Sequence, residues 1–355
     1  MNAPATAVPT ATTRKFPVKD WLQQSAWAGL SGLTFILLCL AFFLLNGHPA
    51  WEMFSEMVKG AFGDGYALGE TLVKTAPILL CALSVALPAR LGLISVGSEG
   101  QFYLGAMAGT YIVVNFTDAP AWQLMPMMLI ASALGGAFWG SVPGLLKAKL
   151  SMNETISTLL LNYIAVLMME FAVHGPWKDP TALGWPASIE FPPAAQLPTF
   201  ADTRVHLGLA IGIAVAIALH IFVTYSRWGV GLTILRSNAR VGFLAGISWA
   251  KNVVLVMAIG GALAGLAGIA EASVIQNRLQ PNLSSGYGMS GFLVAWLAGQ
   301  HFLKILPFSL LIGGLLASAD SLQLYAQLPA SSAIILQALL FVIVLAFNRR
   351  TKSGA

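Results

Sequence analysis

Long apolar runs alternate with short polar breaks along almost the whole chain, and their lengths are those of membrane helices. The runs fall at residues 27–45, 68–87, 93–114, 122–146, 156–173, 205–223, 253–270, 287–298, 305–322 and 333–347. A helix needs about 20 apolar residues to cross a hydrocarbon core, so these runs are read as spans. The third and the eighth are interrupted by glycine: Gly97, Gly100 and Gly105 in one, Gly286, Gly288 and Gly291 in the other. Glycine weakens a helix and lets another backbone come close. The pattern predicts an all-α polytopic membrane protein of about ten transmembrane helices, two of them broken.

Composition agrees with a lipid solvent. Of the 355 residues 57% are hydrophobic and 9% charged, whereas soluble domains carry about 25% charged residues. The mean hydropathy is +0.76. The net charge of +5 comes from basic residues scattered at the ends of apolar runs, which is not the clustered face of a nucleic-acid binder. Cys39 and Cys81 both lie in apolar runs, so neither a disulfide framework nor a metal site is implied. The five histidines are widely spaced.

Orientation follows from the basic residues. With the N-terminus inside, the inner side receives Arg14, Lys15, Lys19, Arg90, Lys147, Lys149, Arg227, Arg236, Arg240, Lys251, Lys304, Arg349, Arg350 and Lys352, 14 of the 19 Lys and Arg. Cytoplasmic loops carry such an excess, so both termini are expected in the cytoplasm. Residues 1–25 read as a disordered cytoplasmic tail, 26–348 as the transmembrane domain and 349–355 as a second cytoplasmic tail. The first run exceeds the 7–15 residues of a signal-peptide core and is read as an uncleaved anchor. An external loop, 175–203, carries six prolines and is either a rigid cap or a docking surface. A cytoplasmic loop, 226–251, contains a short helix over 239–245, capped by Ser237 or Asn238 and ended by Gly246.

The second to fifth runs and the seventh to tenth make two halves of opposite direction, in which the glycine-broken segments take matching places. Glycine-interrupted segments at equivalent positions of inverted halves point to a translocation site. Glu99 sharpens that reading, because a charge at mid-membrane costs about 2.5–3.5 kcal/mol even on lenient scales. The other carboxylates at membrane depth are Glu70, Glu170, Glu271 and Asp320, and Glu70 and Lys74, four apart, are expected to neutralise each other. No Gly-x-x-x-x-Gly-Lys-Ser/Thr loop is present, so the chain does not itself cradle ATP in that manner. Gly261, Ala264, Gly265 and Gly268 form a small-residue stripe that serves close packing within the chain or, less favoured, a subunit interface.

Gly97-Ser98-Glu99-Gly100-Gln101 followed by Gly105-Ala106 resembles the signature of permease subunits of ABC importers for sugars, nucleosides and branched-chain amino acids. The stretch from Asn153-Glu154-Thr155 to Asn162-Tyr163-Ile164-Ala165, then Gly175-Pro176-Trp177-Lys178-Asp179-Pro180, resembles the nucleoside branch more narrowly. Ser285-Gly286-Tyr287-Gly288 through Gly291, with Val294-Ala295, repeats that branch's pattern. The cytoplasmic loop departs from it, with Arg236 for a glycine, Ala239 for a proline and Val241-Gly242 for paired alanines.

The resemblance implies a non-enzymatic transport subunit in the bacterial cytoplasmic (inner) membrane. Its partners would be a second, related permease in a heterodimer, two cytoplasmic ATP-binding subunits that hold ATP and Mg, an extracytoplasmic solute-binding protein, and membrane lipid. It needs no cofactor of its own. The ATPases would grip Arg236, Ser237, Asn238, Arg240, Gly246 and Ile247. The solute delivered by the binding protein would be a nucleoside or related small polar molecule; the alternatives are the same importer type for a simple sugar, or an ion-coupled secondary transporter in place of the importer. Candidate pathway residues are Glu99, Gln101, Asn162, Tyr163, Tyr287, Phe292 and Trp296, since a base needs flat apolar surface and a few amides, and stacking contributes about 1–3 kcal/mol. For Glu99 a competing role is to satisfy backbone freed by the glycine break.

Overall fold

A computed structural model of the chain describes residues 18–182, 184–200, 203–329 and 331–353. The helices are α1 (Val18–Leu45), α2 (Ala50–Phe62), α3 (Gly65–Ala89), α4 (Ser98–Asn115), α5 (Ala121–Leu150), α6 (Glu154–His174), α7 (Leu207–Tyr225), α8 (Arg227–Ser237), α9 (Ala239–Leu244), α10 (Trp249–Val274), α11 (Tyr287–Leu297), α12 (Phe302–Ala326) and α13 (Ser331–Ser353). Each of the ten apolar runs carries a helix. Among the described residues six helices, α3, α5, α6, α7, α10 and α12, are long and apolar enough to cross a membrane alone. The α1–α2 pair, bent by 118°, makes a seventh if it is one span. At 11 residues α11 is about 16 Å long, half a bilayer.

Helix α2 lies where the sequence reads as a plain connection. Its buried residues Met53, Met57 and Ala61 recur every four positions and settle against α1 and α12. Of the N-terminal tail expected over 1–25, residues 1–17 lie outside the described ones, and α1 already begins at Val18.

The packing repeats itself under one exchange. Helix α10 packs on α5 and α4, as α3 packs on α12 and α11, and α3 and α10 pack on each other. Likewise α4 meets α6 as α11 meets α13. Small residues make the central contacts. A Cβ on Gly265 would run into the Ser132 carbonyl, and one on Gly268 into the Phe102 carbonyl. The Ser132 hydroxyl lies 2.8 Å from Gly105 O and 2.7 Å from Gly265 O. The stripe is therefore buried packing within the chain.

Two charged residues differ from expectation. Glu70 and Lys74 do not neutralise each other: Lys74 Nζ is 2.6 Å from Asp320 Oδ2, and Arg204 Nη1 is 3.3 Å from Glu70 Oε1. Partners brought by α12 and by the loop before α7 outcompete the neighbour on the same helix. The proline-rich loop folds as a cap over the approach to α11. Ser188 N–H donates to Leu279 O and Phe191 N–H to Asn277 O, both at 2.8 Å, and Phe191 is buried.

Candidate functional site

The chain between α3 and α4 is not helical, so its backbone polar groups need partners in a lipid-excluded place. They find them on α6. Asn153 caps that helix, its Oδ1 accepting from Thr155 N–H at 2.9 Å. One face of α6 then serves the unwound segment. Thr155 Oγ1 donates to Ile94 O at 3.1 Å, Thr158 Oγ1 accepts from Val96 N–H at 3.2 Å, and Asn162 Nδ2 donates to Val96 O at 2.8 Å. Asn162 Oδ1 also accepts from Gly100 N–H at 2.8 Å, which terminates the otherwise uncapped start of α4. Residues 155, 158 and 162 sit at helical spacing on one face, the signal by which the two threonines are legible in sequence.

The start of α11 is completed from the other half of the chain. Gly286 takes the left-handed conformation, φ +80°. Ser284 Oγ accepts from Gly286 N–H at 3.1 Å and from Tyr287 N–H at 3.0 Å. The next N–H, of Gly288, donates to Glu99 Oε2 at 2.7 Å, and Ser98 Oγ donates to Gly288 O at 2.9 Å. A Cβ on Gly288 would meet Glu99 Cα at 2.6 Å, so only glycine fits. The N-termini of α4 and α11 thus converge, with the Glu99 carboxylate between two positive helix ends. Ser284 N–H donates to Tyr103 Oη at 3.3 Å, and Gln337 of α13 donates to Ser290 Oγ at 2.9 Å, placing on α11 an amide as Asn162 does on α4.

Of the candidate pathway residues, Glu99, Gln101, Asn162 and Tyr287 come together around this junction, all but Glu99 clearly buried. The Tyr287 ring lies 6.3 Å from that of Phe102. Phe292 and Trp296 continue along α11 as a half-buried pair, ring centroids 5.8 Å apart. Tyr163 stands apart on the outward face of α6, 66% exposed. Ser98, Tyr103, Ser284 and Gln337 belong to the junction although sequence reading did not single them out.

A second surface forms between α8 and α10. Helix α9 spans six residues, and Asn238 caps it by accepting from Arg240 N–H at 2.9 Å. Ser237 instead closes α8, donating to Ile234 O. Gly246, at φ +75°, turns the chain out of α9, and Ile247 N–H returns to Gly242 O at 2.9 Å. Arg236 reaches back to α3, Nη1 3.4 Å from Ala89 O. Helix α9 presents Phe243 and Leu244 at 77% and 84% exposure, beside Arg240. The exposed face of α9 is thus apolar and basic at once.

Comparison with known proteins gives the family of the chain. Residues 67–345 match the family described as "Branched-chain amino acid transport system / permease component". The glucose ABC transporter permease protein TsgB13 of Haloferax volcanii is 35% identical over 315 residues, covering 85% of this chain and 81% of that protein. The guanosine ABC transporter permease protein NupP of Bacillus subtilis is 31% identical, covering 85% and 87%. The nucleoside ABC transporter permease protein NupB of Lactococcus lactis is 28% identical, covering 88% of each.

Proposed function

The chain belongs to the branched-chain amino acid transport system permease-component family, and on that premise we propose that it forms the membrane pathway of an ATP-driven importer for a nucleoside. It is a multi-pass membrane protein, and ATP is hydrolysed by cytoplasmic partner subunits that seat on α9. A second, related permease completes the pathway, and an extracytoplasmic binding protein delivers the solute. Ten helices cross or enter the bacterial cytoplasmic membrane with both termini inside, in two inverted halves, α3–α6 and α10–α13. The reciprocal packing of those halves supports this arrangement.

The observation that carries the solute is the α4–α11 junction, where the buried Gln101 amide and the Tyr287 ring lie, with the half-buried Phe292–Trp296 pair further along α11, the mixture that a base and a ribose need. The names of NupP and NupB support the same class. A simple sugar is the second reading, favoured by the name of TsgB13. An ion-coupled mechanism has less support, because the Glu99 carboxylate is already engaged in closing the start of α11.

Affinity purification of the tagged chain in mild detergent, followed by mass spectrometry, tests the assembly; a cytoplasmic ATPase and a second permease are expected in comparable amounts. Uptake of labelled guanosine with unlabelled nucleosides and glucose as competitors tests the solute. Competition by glucose alone would replace the nucleoside with a sugar.

A further inference from the structure

At the end of α3 the Arg90 guanidinium lies over the Phe302 ring, 4.8 Å from its centroid. His301, the preceding residue, faces His220 of α7 with ring centroids 5.3 Å apart. Lys304 follows one turn into α12, exposed, and Arg236 of α8 reaches the same corner through its contact with Ala89 O. Elements far apart in sequence therefore gather three full cations and two imidazoles.

Among the described residues no counter-charge is paired with them. The ion pairs among the described residues use Lys59, Lys74, Lys147, Arg204 and Arg278, and none involves Arg90, Arg236 or Lys304. Arg90 Nε, His220 Nδ1 and His301 Nδ1 are buried without a hydrogen-bond partner. Burial, and then the neighbouring Arg236, hold the Arg90 guanidinium below its ordinary pKa. Burial, followed by His220, Arg90 and Lys304, does the same to His301. The start of α12, which no side chain caps, adds its positive end. Each of these features is relieved by an anion. On α7, the helix that brings His220 to the corner, Ile217, Ile221 and Phe222 are exposed apolar side chains within a turn of it.

We propose that this corner binds the phosphate headgroup of an anionic phospholipid, with Arg90, Arg236 and Lys304 as its cationic contacts and the acyl chains along α7. A soluble phosphate would satisfy the cations but leave the adjoining apolar face unused, so the lipid is the occupant that fits both. Basic pockets between membrane helices are suited to such headgroups. The site lies on the same side of the molecule as α9, because Arg236 ends the helix that leads into α9. It does not depend on which solute is carried.

The test is native mass spectrometry of the assembled complex, titrated with dioleoyl phosphatidylglycerol, dioleoyl phosphatidylcholine or inorganic phosphate. Phosphatidylglycerol is expected to be retained in preference to phosphatidylcholine. Lys304→Gln, an exposed change that leaves the Arg90–Phe302 packing intact, is expected to weaken that retention about fivefold. Lys149→Gln, a cation outside the corner, is expected to leave it unchanged. Equal retention of the two lipids, or equal loss in the two variants, overturns the proposal. So does binding of inorganic phosphate in place of phosphatidylglycerol. Retention only when the ATPase subunits are stripped away also overturns it, and assigns the corner to an acidic protein surface.

Discussion

Glu99 and Gly288, 189 residues apart in sequence, are joined by a 2.7 Å hydrogen bond from the Gly288 N–H to the Glu99 carboxylate. A side chain of one broken helix thereby closes the start of the other, and the charge rests where two helix ends are positive. Replacing Glu99 with Ala leaves a buried N–H without an acceptor, a loss of about 1–3 kcal/mol. Glu99→Gln keeps an acceptor and is expected to lose less. Thermal unfolding of the purified complex in detergent gives the ranking, and equal stability of Glu99→Ala and wild type refutes the cap.

Asn162 supports the unwound segment with two hydrogen bonds of 2.8 Å, to Gly100 and Val96. Asn162→Leu orphans both backbone groups and is expected to reduce the amount of folded protein in the membrane, whereas Tyr163→Leu, on the exposed neighbouring position, is expected not to. Fluorescence-detected size-exclusion profiles of the two variants distinguish them.

The contact between α10 and α5 sets a steric limit. Gly265→Leu places a side chain where the Ser132 carbonyl stands, and overpacking of this kind costs about 1–3 kcal/mol or more. Loss of the monodisperse species is expected for Gly265→Leu but not for Gly29→Leu, whose Cβ meets nothing within 4 Å.

On the proposed function the exposed side chains of α9 would be the handle for the ATPase subunits. Phe243→Ser with Leu244→Ser is expected to abolish their co-purification while the permease still reaches the membrane, since neither residue is buried within the chain. Undiminished recovery of the ATPases from this double variant rules out α9 as the seat.

His206 gives a pH dependence. It is fully buried at the start of α7, with Nδ1 accepting from Gly208 N–H at 3.1 Å, and burial pulls its pKa from 6.5 down to about 4. The native state thus holds it neutral, while the unfolded chain takes up a proton near 6.5. Its contribution is present in full above pH 6.5 and declines as the pH falls toward 4. His206→Asn preserves the capping acceptor without titrating, so the melting temperature of this variant is expected to fall less between pH 7.5 and 5.

Much of this architecture was legible in the hydrophobic pattern, because helices surrounded by lipid and by each other are apolar for long stretches. Helix α9 was read almost to the residue from Asn238 and Gly246, since capping and left-handed turns are local chemistry. Helix α2 is not legible in the sequence, because its three buried positions, Met53, Met57 and Ala61, acquire meaning only once α12 is there to receive them. The partners of Glu70 and Lys74 were missed for the same reason, as they arrive from elements over a hundred residues away. At the junction, Glu99 and Asn162 stand out as polar residues in apolar surroundings. Ser98 and Ser284 do not, because serine is common both in membrane helices and in the turns between them, and the partners here are backbone groups.

The exchange of contacts between α3–α6 and α10–α13 has a consequence for biosynthesis. When the ribosome has delivered α4, the groups that will rest on its first turn are still nearly two hundred residues from being made. The first half therefore enters the bilayer with its unwound segment already held by α6 but with the Glu99 carboxylate and the Ser98 hydroxyl awaiting Gly288, and its maturation is completed only when the second half arrives. Two separately expressed halves should each be short-lived alone and should rescue one another only when produced together.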